Sequence, residues 1–228
     1  MDRRNFFKGI LVAGYSLAAA HFGYNAVRER AFLSKPYSMT VIGVGGGGCN
    51  AVSSMLDLGL QDVKFAAVNT DKEALDLSEV PIKIQIGSKL RMGKGSGRDP
   101  RIGRMAALES ANELRSILSG VDVVCLVATM GGGTGTGAAP VIARLSRETG
   151  AYTVAVVSEP FLFEGATTID HAQQGIAMVR KYVDRVVPYS NERLICNPSI
   201  DTLRVSDLFK LSDKEASRLV RDIRNIFS

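Results

Sequence analysis

Seven consecutive residues, GGGTGTG at 131–137, combine five glycines with two hydroxyls, Thr134 and Thr136. A second run, GGGG at 45–48, leads directly into Cys49 and Asn50. Glycine loses more conformational freedom on folding than any other residue, so this density needs a reason. One reason is anion binding: bare backbone lets consecutive N–H groups converge on a phosphate, and threonine hydroxyls add donors. The other is tight packing of a strand against a helix. A single loop does not choose between them. Two loops that open helices on the same sheet edge favour phosphate, because both positive dipole ends then face one ligand. The stretch NTD at 69–71 adds Asp71, placed where a carboxylate can meet a ribose.

The elements that must position these residues are legible as an alternation. Apolar β-branched runs at 39–44, 64–70, 81–87, 121–129 and 151–160 read as strands. Helical periodicity covers 49–59, 100–120, 138–150 and 167–186, and a glycine- and lysine-rich loop fills 88–100. Continuous apolar strands separated by helices predict an α/β fold with a doubly wound parallel sheet covered on both faces. Ligands of such sheets bind beyond the carboxyl ends of the strands, where all three special loops fall.

Composition narrows the classes further. Hydrophobic residues make up 46% of the 228 and charged residues 22%, an ordinary globular balance. Residues 1–37 hold six Lys/Arg against two acids, so the first 37 residues supply +4 of the chain's +5. The body is nearly neutral and lacks tryptophan, which excludes nucleic acid as a partner in this reading. Three separated cysteines form neither a disulfide framework nor a zinc site, and two histidines are too few for a histidine-based metal or catalytic cluster. No metal ligands and no catalytic base are assigned.

GVGGGG at 43–48 fits the G-x-G-x-x-G of dinucleotide-binding units, so an NAD-type Rossmann oxidoreductase is one alternative; a degenerate scaffold that binds no nucleotide is another. No G-x-x-x-x-G-K-[ST] occurs, which excludes a Walker loop. The second glycine loop suits a nucleotide whose long phosphate tail is gripped from two sides.

IGVGGGGCNAV (42–52), AVNTD (67–71), MGGGTGTGAAPVIA (130–143) and TVAVVSEPFLFEG (153–165) resemble the FtsZ family of tubulin-like GTPases. KIQIGSKL (83–90) and GSGRDPRIGR (95–104) are similar as well. The resemblance implies that the cofactor is GTP or GDP, with Mg2+ bound through the nucleotide. It implies that Gly131, Gly132, Gly133, Thr134, Gly135, Thr136 and Gly137 cradle the phosphates. Gly46, Gly47 and Asn50 would line the first loop, Glu164 would reach the ribose with Asp71 nearby, and Asn191 and Asp207 would read the guanine. Two positions depart from the family: Thr168 stands where an arginine is usual, and Leu203 where a phenylalanine stacks on the base. Both departures predict weaker binding. The family's acidic synergy loop, N-x-D-F-A-D, is absent from this sequence. The expectation is a truncated FtsZ-like cell-division protein that binds GTP. It would hydrolyse GTP only when a partner subunit supplies the acidic loop, and it would act with or modulate a full-length filament.

Two terminal segments carry their own expectations. Between Lys8 and Arg28 lies an uncharged run that as a helix reaches roughly 28 Å, about one hydrocarbon thickness. DRRNFFK ahead of it resembles a twin-arginine signal. Residues 1–37 are thus read as a membrane anchor, a cleaved export signal or an extra packed helix, ahead of a GTP-binding domain at 38–228. The favoured location is the inner face of the cell membrane, with export as the alternative. KEASRLVRDIRNIFS (214–228) carries an apolar stripe with arginines away from it. It is either a linking helix laid on the sheet or a basic helix that meets a membrane or partner.

Overall fold

The computed structural model describes residues 37–60, 62–91, 93–195 and 204–227. The segment 1–36 and Leu203 lie outside the described residues. The chain alternates: β1 (Met39–Val44), α1 (Gly45–Ser53), β2 (Val63–Asn69), α2 (Lys72–Asp76), β3 (Ile82–Gln85), α3 (Ser88–Arg91), α4 (Pro100–Glu109), α5 (Ala111–Leu118) and β4 (Val123–Thr129). There follow α6 (Gly133–Glu148), β5 (Tyr152–Glu159), α7 (Ala166–Arg180), β6 (Arg185–Ser190), α8 (Asn191–Leu194) and α9 (Val205–Ile226). The six strands form one sheet in the order β3-β2-β1-β4-β5-β6, with every pairing parallel.

Strand side chains alternate between two cores, as the period of two requires. Ile42, Val44, Leu126 and Val157 face one side, where Ala106, Leu114, Ile142 and Ile176 of α4 to α7 cover them. Val41, Cys125, Val154 and Val156 face the other, under Val52 of α1 and Ala216, Val220 and Ile223 of α9. Both faces are covered, which is why these strands are apolar throughout. The stripe of the last helix therefore lies against the sheet, and Phe227 completes it with its ring 5.7 Å from that of Tyr152.

Several elements differ from the sequence expectation. Both glycine helices begin earlier, at Gly45 and Gly133 rather than at 49 and 138, so most of each glycine run is helix and not loop. The helix expected over 100–120 breaks at Ser110, whose buried hydroxyl turns aside to accept from Gly87 N at 3.3 Å. A sixth strand spans Arg185–Ser190 despite Pro188. It is an edge strand, where a missing N–H on the open side costs no ladder bond.

Candidate nucleotide-binding site

The chain runs outward from β1 to β2 and β3, then returns to place β4 on the other side of β1. The β1/β4 gap is the point where strand order reverses, and a cleft of about 530 Å³ opens there, inside the size range of ligand sites. Its walls come from every carboxyl-end loop from β1 to β5.

Gly45 leaves β1 at φ +74, and a Cβ on it would come within 2.8 Å of Gly135 N. The bare backbones of α1 and α6 thus meet side by side at their N-termini. Neither helix has a side-chain cap, and neither has an acid in its first turn. Two other helices that begin on this edge, α2 and α4, are finished differently. Asp71 caps α2 by accepting from Ala74 N at 3.1 Å, and Asp99 caps α4 by accepting from Arg101 N at 2.8 Å. The Arg101 guanidinium on Asp99 also holds that carboxyl below its ordinary value. The first-turn N–H groups of an α-helix have no intrahelical acceptor, so two uncapped N-termini side by side present donors and positive dipole ends to one ligand.

The glycines divide by what surrounds them. Side chains on Gly47, Gly135 and Gly137 would collide with Thr129 Oγ1, the Thr129 carbonyl and the Pro100 carbonyl respectively. A Cβ on Gly133 would come within 2.7 Å of Asp99 N. Gly46 and Gly132 meet nothing within 4 Å. Packing thus accounts for most of the run, and the two open glycines border the cleft.

Of the residues singled out from sequence, Gly46, Gly47, Asp71, Gly132, Gly133, Thr134, Gly135 and Glu164 line the cleft. Gly131, Thr136 and Gly137 do not line it. Thr136 is buried and its hydroxyl accepts from Gly131 N at 2.8 Å, a bond inside the turn. The Thr134 hydroxyl donates to Ser96 Oγ at 3.2 Å and lies 2.7 Å from Thr70 Oγ1. Glu164 Oε1 accepts from Phe161 N at 2.9 Å, which orders the turn after β5. Asn50 is exposed on α1 and does not line the cleft.

Asn191 and Asp207 stand apart from the cleft, past the end of β6. Asn191 is fully buried; Ser212 Oγ of α9 donates to its Oδ1 at 2.7 Å, while its Nδ2 has no partner among the described residues. Asp207, in the first turn of α9, accepts from Arg204 and Lys210, each at 3.4 Å.

The loop before α4 supplies residues that the motif reading did not single out. Lys94, Ser96 and Arg98 all line the cleft. Their signal was present in GKGSGR, another alternation of glycine with polar side chains behind a strand. Arg98 Nη2 donates to Thr168 Oγ1 at 3.3 Å. The position where the resemblance anticipated an arginine is thus met by a guanidinium from another segment.

The class defined here is a doubly wound α/β domain that offers two uncapped helix N-termini to an anion at its switch point. Strand order alone does not distinguish it from dinucleotide-binding domains, which share it. Comparison with known proteins does. The family described as Tubulin/FtsZ family, GTPase domain, matches residues 38–197. An empty FtsZ dimer of M. jannaschii is similar at 34% identity and a TM-score of 0.78, over 87% of this chain and 58% of that one. CetZ2 of Haloferax volcanii, in a GTPγS-bound protofilament, is similar at 25% identity and a TM-score of 0.73, over 80% of this chain and 57% of that one. The chain belongs to the tubulin/FtsZ family and carries its GTPase domain. It spans under three fifths of the FtsZ and CetZ2 chains it matches.

Proposed function

We propose that the protein binds a guanine nucleotide, GTP or GDP, with its phosphates on the paired N-termini of α1 and α6. The observation that carries this reading is the side-by-side placement of these two uncapped, glycine-built N-termini on one cleft. A phosphate would supply the missing acceptors. The ribose would lie toward Glu164 and the base toward Asn191 and Asp207, following the order of the strands. The orphaned Nδ2 of Asn191 supports an acceptor arriving there, and the Asp207 carboxylate is the chemistry that separates guanine from adenine. Among the described residues no group of three or more His, Cys, Asp or Glu could hold a metal, so Mg2+ would arrive on the phosphates.

Hydrolysis by the isolated chain is slow in this reading. Fast phosphoryl transfer to water needs an oriented nucleophile in line with the leaving group. The cleft's two acids, Asp71 and Glu164, are engaged with the backbone of their own turns. The group that orients water would come from a second FtsZ-like subunit docked on the nucleotide, and the protein would act with or modulate such a filament in cell division. Residues 1–37, with their basic flanks and uncharged run, would attach the domain to the inner face of the cell membrane.

The test is a titration with labelled GTP, GDP, ATP and NAD, followed by a GTPase assay with and without an FtsZ whose own nucleotide site is disabled. Guanine nucleotides bind preferentially, and turnover rises with the partner. Equal or tighter NAD binding, or no binding at all, refutes the nucleotide assignment. Rapid turnover by the isolated chain refutes the partner requirement.

A further inference from the structure

We infer that the edge of the sheet where the strands begin, beneath β5, β6 and α9, docks on an anionic lipid bilayer. The inference rests on the membrane reading of residues 1–37 above and adds the part of the folded domain that meets the lipid.

Helix ends build this surface. α6 and α7 run back from the cleft and end beside the starts of β5 and β6, where Arg147 Nη1 of α6 donates to the Lys181 carbonyl just past α7 at 3.0 Å. α9 ends there from the other face of the sheet, with Phe227 against Tyr152, the first residue of β5. These three ends carry Arg147, Arg180, Lys181, Arg221 and Arg224, all exposed except the half-buried Arg224. Among the described residues none of the five is paired with a carboxylate. The acids nearby are engaged: Glu148 with Arg115 and Arg144, Asp222 with Arg218, and Asp184 with Thr153 N.

A cation complements the dipole of the helix it ends, which accounts for one per helix. Five on three adjoining ends leave a surplus that an anionic surface neutralises. Each Lys or Arg close to such a bilayer is worth about fivefold in binding. Ile226, 44% exposed in the last turn of α9, sets an apolar side chain among them, a combination that suits the boundary between headgroups and acyl chains.

The chain also enters the domain at this edge. The Tyr37 ring, just ahead of β1, lies 6.2 Å from that of Phe227. The uncharged run between Lys8 and Arg28 is therefore joined to the domain here, through a stretch that holds Arg30 and Lys35. From Arg28 to Tyr37 the backbone reaches at most roughly 32 Å, so a run held in lipid keeps this surface near the bilayer. The other half of the edge does not fit an anionic surface, because exposed Asp62 and Glu79 precede β2 and β3. The domain thus leans onto its α9 side. β5 has eight residues, a length of roughly 26 Å, which holds the cleft at the opposite edge clear of the lipid and open to a nucleotide.

The test places one fluorescent reporter on the full chain in vesicles of phosphatidylcholine, with or without phosphatidylglycerol. Cys49 and Cys125 are buried, so in a Cys196→Ser background an environment-sensitive dye is attached at Ile226→Cys. The comparison site is Leu77→Cys, 80% exposed beside the acids of the other half. Phosphatidylglycerol shifts the Ile226→Cys dye to the blue and leaves the Leu77→Cys dye unchanged. The double variants Arg180→Gln/Lys181→Gln and Arg221→Gln/Arg224→Gln each reduce the shift. Lys89→Gln/Arg104→Gln, which removes two exposed charges toward the opposite edge, retains it. The shift collapses at about 1 M salt, where the Debye length falls to about 3 Å. A parent-like thermal transition establishes that each variant is folded. A chain held on the vesicles whose Ile226→Cys dye ignores phosphatidylglycerol, or responds equally in both double variants, overturns the docking surface and leaves the anchor standing. A chain that associates with neither vesicle overturns both.

Discussion

Gly46 and Gly135 both belong to glycine runs, yet alanine should do opposite things to them. Gly46 is the second residue of α1, and a Cβ there meets no atom within 4 Å. Gly46→Ala therefore adds no clash and removes backbone freedom from the unfolded chain, a gain of a few tenths to about 1 kcal/mol. In a domain of this size that raises Tm by roughly 1 to 4 °C. Gly46 also lines the cleft, so in the proposed site the same methyl would crowd a phosphate that approaches the first-turn N–H groups. Losing two charge-assisted hydrogen bonds costs roughly 3 kcal/mol, or about a hundredfold in nucleotide affinity. At Gly135 the methyl collides with the Thr129 carbonyl and lies 3.4 Å from the Val44 carbonyl. Both are sheet backbone and cannot yield, so Gly135→Ala costs about 1 to 3 kcal/mol of stability before any ligand is present. The assay pairs thermal denaturation without nucleotide with a GTP titration. Stability up and affinity down for Gly46→Ala, against stability down for Gly135→Ala, is the expected pattern. Parent-like GTP affinity in Gly46→Ala refutes the location of the phosphate site.

Two further predictions concern other parts of the chain. Burial pushes the Asp213 carboxyl of α9 up to about 6 from 3.8, so the folded state holds this proton more tightly than the unfolded state. Its charge then costs stability that is absent below about pH 4 and fully felt above about pH 6; allowing for partial exposure, Asp213→Asn should gain about 1 kcal/mol at pH 8 and nothing at pH 4. Denaturant titrations at the two pH values check this, and a pH-independent gain refutes it. Deleting residues 1–37 should move the protein from the membrane fraction to the soluble fraction, with the domain protected from protease in intact cells; an uncleaved full-length chain already in the soluble fraction refutes the anchor.

Sequence by itself determined the class of fold and the edge that carries the cleft. Continuous apolar β-branched runs, glycine at strand ends and helical stripes are local signals, and the five strands read from them are present. The same local logic placed Gly46, Gly132 and Asp71 on one sheet edge, the family resemblance added Glu164, and all four line one cleft. It overlooked β6, because Pro188 is tolerable only in a strand that ends the sheet, and sheet order is not a local property. It could not tell the packing glycines from the open ones, since the deciding neighbours lie far away in the chain: Thr129 for Gly47 and Pro100 for Gly137. It read Thr168 as a lost arginine, whereas Arg98 arrives there from 70 residues away. The apolar stripe after Lys214 was visible, but its docking on the sheet depended on the second core. The division has one physical cause. Hydrophobic period and backbone propensity act between near neighbours and are written in the sequence. Collisions, edge positions and the sharing of a hydroxyl are set by which distant segments the folded sheet brings within a few ångströms.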